Sequence, residues 1–116
     1  MQIAYLSITG QVKRFVNKLD FPSYELSDYP SDSHDFVLIV PTYEPEITYP
    51  ADDFLTDHSE HCLGIIGSGN RNFGDEFVYT AKDLAHDYKL PMLYAFEFSG
   101  TEEDVKKVDE LLKNLL

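Results

Sequence analysis

Residues 36–40 read Phe36-Val37-Leu38-Ile39-Val40, five apolar residues in a row with Asp35 before them and Pro41 after. A run of that length without polar alternation predicts a strand buried on both faces, as in a parallel sheet covered by helices. Cys62-Leu63-Gly64-Ile65-Ile66 reads as a second buried strand, Ile3-Ala4-Tyr5-Leu6 as the first in the chain, and Met92-Leu93-Tyr94-Ala95-Phe96 as the last. Tyr24 and Leu26 alternate across a short edge strand.

Between these runs the period becomes helical. Val12, Phe15, Val16 and Leu19 sit at i, i+3, i+4 and i+7. A short helix is expected over residues 51–57. Phe77, Ala81, Leu84, Ala85 and Tyr88 form another stripe that ends before Pro91, and Val105, Val108, Leu111, Leu112 and Leu115 line a final one. Thr101 with Asp104 three positions on is a capping-box start for that last helix. Strands alternating with helices imply right-handed crossovers. The expected fold is α/β: a doubly wound five-stranded parallel sheet of order 2-1-3-4-5, in one domain spanning residues 1–116. Such a sheet binds ligands beyond the carboxyl ends of its strands, at the switch between strands 1 and 3. The loops emerging there are Ser7–Val12, Pro41–Pro50 and Gly67–Gly74.

The 116 residues carry 9 Lys+Arg against 21 Asp+Glu, a formal charge of −12. No basic stripe exists to neutralise phosphates, which disfavours nucleic acid, and no nucleic-acid partner is expected. No apolar run approaches the ~18–20 residues of a membrane span, and the N-terminus carries no secretory pattern, so a cytoplasmic protein is expected. Between Lys18 and Arg71 there is no Lys or Arg but eleven acidic residues, read either as a solvated face or as a rim around a site or docking surface. The single cysteine, Cys62, excludes an internal disulfide. His58, His61 and Cys62 fall short of the four ligands of a structural metal site, and no metal is expected.

In Ser7-Ile8-Thr9-Gly10-Gln11-Val12, Gly10 permits a sharp turn that lets successive N–H groups converge, with the Ser7 and Thr9 hydroxyls beside them. These are the requirements of a phosphate cradle, and equally of an ordinary turn with a hydroxyl cap. Four of the six glycines fall within residues 64–74. Gly67 and Gly69 are expected to allow close backbone approach to a ligand, and Asn70 to tolerate a positive φ. Phe73, between Asn72 and Gly74, suits a ring that stacks on a flat ligand or one folded back on the sheet edge. In Pro41-Thr42-Tyr43-Glu44-Pro45-Glu46, Tyr43 reads as the opposite wall of a planar slot or as an exposed loop tyrosine. Neither G-x-G-x-x-G nor G-x-S-x-G is present.

Ser7-Ile8-Thr9-Gly10-Gln11-Val12-Lys13-Arg14-Phe15-Val16 resembles the flavin-phosphate loop of the NrdI-type flavodoxin-like proteins, the flavoprotein accessories of class Ib ribonucleotide reductase. Gly67-Ser68-Gly69-Asn70-Arg71-Asn72-Phe73-Gly74 resembles that family's second flavin loop, S-G-N-x-x-aromatic-G. Phe96-Glu97-Phe98-Ser99-Gly100-Thr101 is similar to its ending before the last helix. The resemblance implies non-covalent FMN, with the phosphate on Ser7, Thr9, Gly10, Gln11 and Val12 and Phe73 stacked on the ring. Thr42, Tyr43, Ser68, Gly69, Asn70 and Gly74 complete the implied cofactor-binding set. It also implies an accessory redox protein rather than a metabolic enzyme. Reduced flavin and oxygen would give superoxide or peroxide for assembly of the dimanganese-tyrosyl radical cofactor in the reductase small subunit, and a separate electron donor would reduce the flavin. Val12 replaces a hydroxyl residue often found in the family, and Glu44-Pro45-Glu46 stands where its members usually offer a glycine near the flavin N5. The alternatives are a general electron-transfer flavodoxin and a non-flavin binding module on the same fold.

Overall fold

The computed structural model describes residues 1–30 and 34–116; Asp32, one of the acidic residues counted above, lies outside them. The strands are β1 (Gln2–Tyr5), β2 (Ser23–Glu25), β3 (Phe36–Val40), β4 (Cys62–Gly69) and β5 (Met92–Glu97). The helices are α1 (Gln11–Val16), α2 (Pro45–His58), α3 (Tyr79–Tyr88) and α4 (Glu102–Asn114). All strand pairings are parallel and the order is β2-β1-β3-β4-β5, with Ala4 beside Leu38 and Leu38 beside Ile65.

Every residue of β3 is buried, because helices cover both faces of the sheet. Ala4, Leu38, Val40 and Ile65 point toward Ala51 and Leu55 of α2 and Ala81 and Leu84 of α3. Ile3, Tyr5, Ile39 and Ile66 point the other way, onto Val12, Phe15 and Val16 of α1 and Val108 and Leu112 of α4. This is the doubly wound arrangement that the apolar runs predict.

Several boundaries differ from the sequence reading. The stripe from Val12 to Leu19 is helical only to Val16; tighter turns then carry Leu19, which is still buried. Leu26 opens a 3-10 turn instead of continuing β2. The helix expected over 51–57 starts at Pro45, and so Pro41–Pro50 is a loop only as far as Glu44. Proline is well placed at a first helical position, where its missing N–H is not needed. Pro50 sits inside α2 and gives up the bond to the Glu46 carbonyl, and Thr48, Ala51 and Leu55 hold the helix down by burial. β4 continues to Gly69, and two short 3-10 turns, separated by a kink at Gly74, follow over Arg71–Glu76. Phe77 precedes α3, because Val78 adopts φ 54° and the helix begins only at Tyr79.

The capping box at Thr101 forms as read. Thr101 Oγ1 accepts the Asp104 N–H at 3.1 Å, and Asp104 Oδ2 accepts the Thr101 N–H at 2.8 Å. Asp104 Oδ1 also accepts the Tyr94 hydroxyl at 2.6 Å, tying α4 to β5. Burial and the Asp104 carboxylate push the Tyr94 phenol up to about 12, from its ordinary 10.0. A raised phenol binds its proton more tightly folded than unfolded. Its contribution to stability is therefore complete below pH 10 and lost as pH rises toward 12. Tyr94→Phe is expected to lose about 1 kcal/mol at neutral pH and to flatten part of the alkaline fall in Tm; an unchanged alkaline limb would refute the coupling.

Candidate functional site

A cleft of about 780 Å³ opens beyond the carboxyl ends of β1, β3 and β4. Thr9, Gln11, Thr42, Tyr43, Ser68, Gly69, Asn70 and Phe73, all singled out from the sequence, line it. Ser7, Gly10, Val12 and Gly74 stand off its surface but shape the loops around it.

The first loop turns at Gly10, with φ 90° and ψ −5°, and its carbonyl accepts the Arg14 N–H at 3.0 Å to begin α1. Ser7 Oγ accepts the Lys13 N–H at 3.3 Å, and the Ser7 N–H donates to Glu25 Oε1 at 3.4 Å. Burial raises the Glu25 carboxyl, with Asp28 adding to the shift and the Ser7 N–H and Lys13 opposing it. Val12 is 1% exposed; its side chain belongs to the core, leaving only its backbone for a ligand. Arg14 donates from Nε to Ser99 Oγ at 3.2 Å, and its Nη1 lies 3.4 Å from where a Cβ on Gly10 would stand, so a cation flanks the turn.

The second loop departs from expectation at its glycines. A Cβ on Gly67 would come within 2.7 Å of Ala81 Cβ, so the close approach there is by α3 and not by a ligand. Gly69 does line the cleft, but a Cβ there would press on the Val78 backbone N at 3.0 Å. Asn70 is extended, with φ −133°, and its side chain accepts the Asn72 N–H at 2.9 Å. The positive φ falls on Gly74 instead, at 59° with nothing within 4 Å of a built Cβ. Ser68, 3% exposed, donates its hydroxyl to the Phe98 carbonyl at 2.6 Å, so it braces the cleft from behind. Arg71 Nη1 meets Glu97 Oε1 at 2.8 Å and its guanidinium lies 4.8 Å from the Phe77 ring centre, which anchors the turn carrying Phe73. The same arginine holds the Glu97 carboxyl below its usual range.

Phe73 is 65% exposed at the cleft mouth, not folded back on the sheet. Tyr43 lines the cleft too, its hydroxyl 3.5 Å from Thr9 Oγ1. Thr42 donates to the Ser68 carbonyl at 2.7 Å, joining the loop after β3 to the end of β4. Four lining residues were not singled out from the sequence: Ile47, Glu76, Tyr79 and Phe98. Phe98 is 48% exposed with φ 52°, an uncommon conformation for a bulky residue, held by its N–H to the Gly69 carbonyl and by Ser68. Beyond its place in the stretch that resembles the family's ending, its signal was the alternation Phe96-Glu97-Phe98, since Phe96 points to the core and Phe98 away from it. Burial raises the Tyr79 phenol, and Glu44, Glu76, Asp83 and Glu46 add to the shift, so carboxylates gather around this part of the cleft; of these only Glu44 and Glu46 belong to the acidic stretch between Lys18 and Arg71.

The histidines and cysteine of the metal question have other surroundings. His61 lies 3.7 Å from Asp35 and 3.6 Å from Glu60, His58 packs on the Phe54 ring, and burial pushes the Cys62 thiol up to about 11. Among the described residues, no helix is long and apolar enough to cross a membrane.

Comparison with known proteins agrees with the fold. A short-chain flavodoxin associated with a PDU bacterial microcompartment superposes with a TM-score of 0.74 at 18% identity, covering 98% of this chain and 94% of that one. A Streptococcus pneumonia flavodoxin gives 0.58, also at 18% identity, over 98% and 95%. In sequence, the chain is 36% identical to the Protein NrdI of Mesoplasma florum over 96% of its own length and 82% of that protein's. It is 36% identical to the Protein NrdI of Chromohalobacter salexigens over 91% and 89%, and 31% identical to a putative NrdI-like protein of Streptococcus pyogenes over 95% and 86%. The family model described as NrdI flavodoxin-like matches residues 3–110. The chain therefore belongs to the NrdI flavodoxin-like family.

Proposed function

We propose that the cleft binds FMN and that the protein serves a class Ib ribonucleotide reductase as the source of the oxidant used to assemble its dimanganese-tyrosyl radical cofactor. Membership of a flavodoxin-like family supports a flavin, and the NrdI relatives support the link to the reductase. One observation carries the reading: the positive-φ turn at Gly10 presents Thr9 and Gln11 on either side of it to a cleft that Tyr43, Phe73, Tyr79 and Phe98 also line. That combination fits a ligand with an anionic tail and a flat aromatic ring.

In this reading the loop Ser7–Val12 grips the phosphate through its backbone N–H groups and the Thr9 hydroxyl, and Arg14 supplies the neighbouring positive charge. Tyr43 and Phe73 bound the ring, while Thr42, Ser68, Gly69 and Asn70 set the shape of the slot between them. Bound FMN would supply redox chemistry, passing one electron to oxygen to give superoxide or two electrons and two protons to give hydrogen peroxide. The exposed mouth at Phe73 leaves that edge open to oxygen and to the reductase small subunit. An electron-donor protein would reload the site.

The test is the visible spectrum of the purified protein before and after FMN is added. A flavin band perturbed from that of free FMN, with saturable binding, is expected; a colourless protein that takes up no FMN would leave a non-flavin module on this fold. A reduced protein that passes electrons to a protein acceptor but fails to activate the manganese subunit would indicate a general electron-transfer flavodoxin. Phe73→Ala is expected to weaken FMN binding by about 1–3 kcal/mol, roughly 5- to 150-fold in Kd, through lost stacking and burial. An unchanged Kd would remove Phe73 from the site.

A further inference from the structure

The wall formed by Tyr43 is fixed by a residue on a distant element. The Tyr43 N–H donates to Thr80 Oγ1 at 3.2 Å, and the same hydroxyl donates to the Tyr43 carbonyl at 2.9 Å. Thr80 lies in the first turn of α3 and is only 7% exposed, so water competes poorly for either bond. Both backbone polar groups of one loop residue are thus held by a single side chain.

The neighbouring groups add to the constraint. The Glu44 carbonyl accepts the Ile47 N–H at 2.8 Å, the Thr48 N–H at 3.2 Å and the Thr48 hydroxyl at 3.3 Å, as the first turn of α2 requires. Pro45 has a fixed φ and no N–H. Rotating the peptide between Tyr43 and Glu44 would break the bond to Thr80 and strand a buried hydroxyl without its acceptor. The Glu44-Pro45 pair and Thr80 together make this segment a fixed wall.

We infer that Thr80 is a positioning residue, whose hydroxyl holds Tyr43 in its ligand-accepting geometry before any ligand arrives. The inference rests on the flavin reading of the cleft. A wall ordered in advance spares the ligand the cost of ordering it. The effect acts mainly on the ring, because Tyr43 flanks the slot and reaches the phosphate loop through one long contact, its hydroxyl 3.5 Å from Thr9 Oγ1, whereas the Gly10 turn holds the tail.

The experiment compares FMN and riboflavin binding in the parent, Thr80→Val and Thr80→Ser, together with hydrogen exchange at the Tyr43 amide. Thr80→Val removes the hydroxyl at nearly constant shape and is expected to weaken both flavins by the same factor, about 10-fold. Thr80→Ser restores the hydroxyl and is expected to bind within about 2-fold of the parent. In the ligand-free parent the Tyr43 amide should exchange slowly, like an amide of α3, and that protection should vanish in Thr80→Val. A merely structural threonine would lower Tm without moving affinity. Parent-like affinity in Thr80→Val, or a Tyr43 amide exchanging at open-loop rates, overturns the inference. Should Thr80→Val fail to fold, the parent's exchange rate and the Thr80→Ser affinity still decide it. A parent that binds neither flavin defeats the flavin reading, while the exchange measurement continues to judge the clamp.

Discussion

Gly10→Val is expected to lower FMN affinity by on the order of 100-fold while leaving riboflavin binding and most of the fold intact. Gly10 holds φ 90° at the start of α1, a region that L-residues enter only at a cost and that β-branched residues avoid. The strain is about 2–3 kcal/mol, and the loop relieves it by swinging away. On the proposed function, that movement would take the N–H groups of residues 8–12 away from the phosphate. Collision with neighbours is not the cause, since the nearest atom to a built Cβ is the mobile Arg14 Nη1 at 3.4 Å. The loop is exposed at Ile8 and Thr9, whereas Ile3 to Leu6 behind it are buried, so the sheet does not depend on the turn. Titration of the variant with both flavins checks this. A loss shared equally by FMN and riboflavin would show that Gly10 does not act through the phosphate.

Phe15→Ala is expected to remove about 3–5 kcal/mol of folding stability, measured by chemical denaturation. Phe15 is fully buried and stacked on Phe96, with ring centres 3.9 Å apart and planes 21° apart. α1 has six residues, too few to be stable alone, and only Val12, Phe15 and Val16 bury it against the sheet. Gly100 also lies against Phe15: a Cβ there would stand 2.6 Å from Phe15 Cδ1, and φ is 72°. Gly100→Ala should therefore destabilise the parent and do so less in the Phe15→Ala background, where the Phe15 ring is gone and the backbone strain and the looser contact with Phe96 Cδ2 at 3.3 Å remain. Strictly additive effects would contradict that contact. Because α1 starts at the Gly10 turn, which the proposed function assigns to the phosphate, the Phe15 variant should also bind FMN more weakly than its stability alone predicts.

The architecture could be read from local pattern. The apolar run Phe36–Val40 is buried along its whole length, and four apolar runs with one short alternating edge strand, interleaved with helical stripes, leave few topologies once crossovers are right-handed. The Gly10 turn and the Thr101–Asp104 capping box were equally legible, since each is a property of a few adjacent residues. Tertiary structure decided the rest. Burial of Thr48, Ala51 and Leu55 carries α2 through Pro50, against the local signal for a break. Packing of α3 claims Gly67, which the sequence offered to a ligand. Ser68 turns to Phe98, and Thr80 holds Tyr43 from 37 positions away. Periodicity and turn chemistry act over a few residues and so specify the elements and their faces. Which hydroxyl meets which carbonyl across the cleft depends on how closely distant elements approach, and that is set only when the core packs.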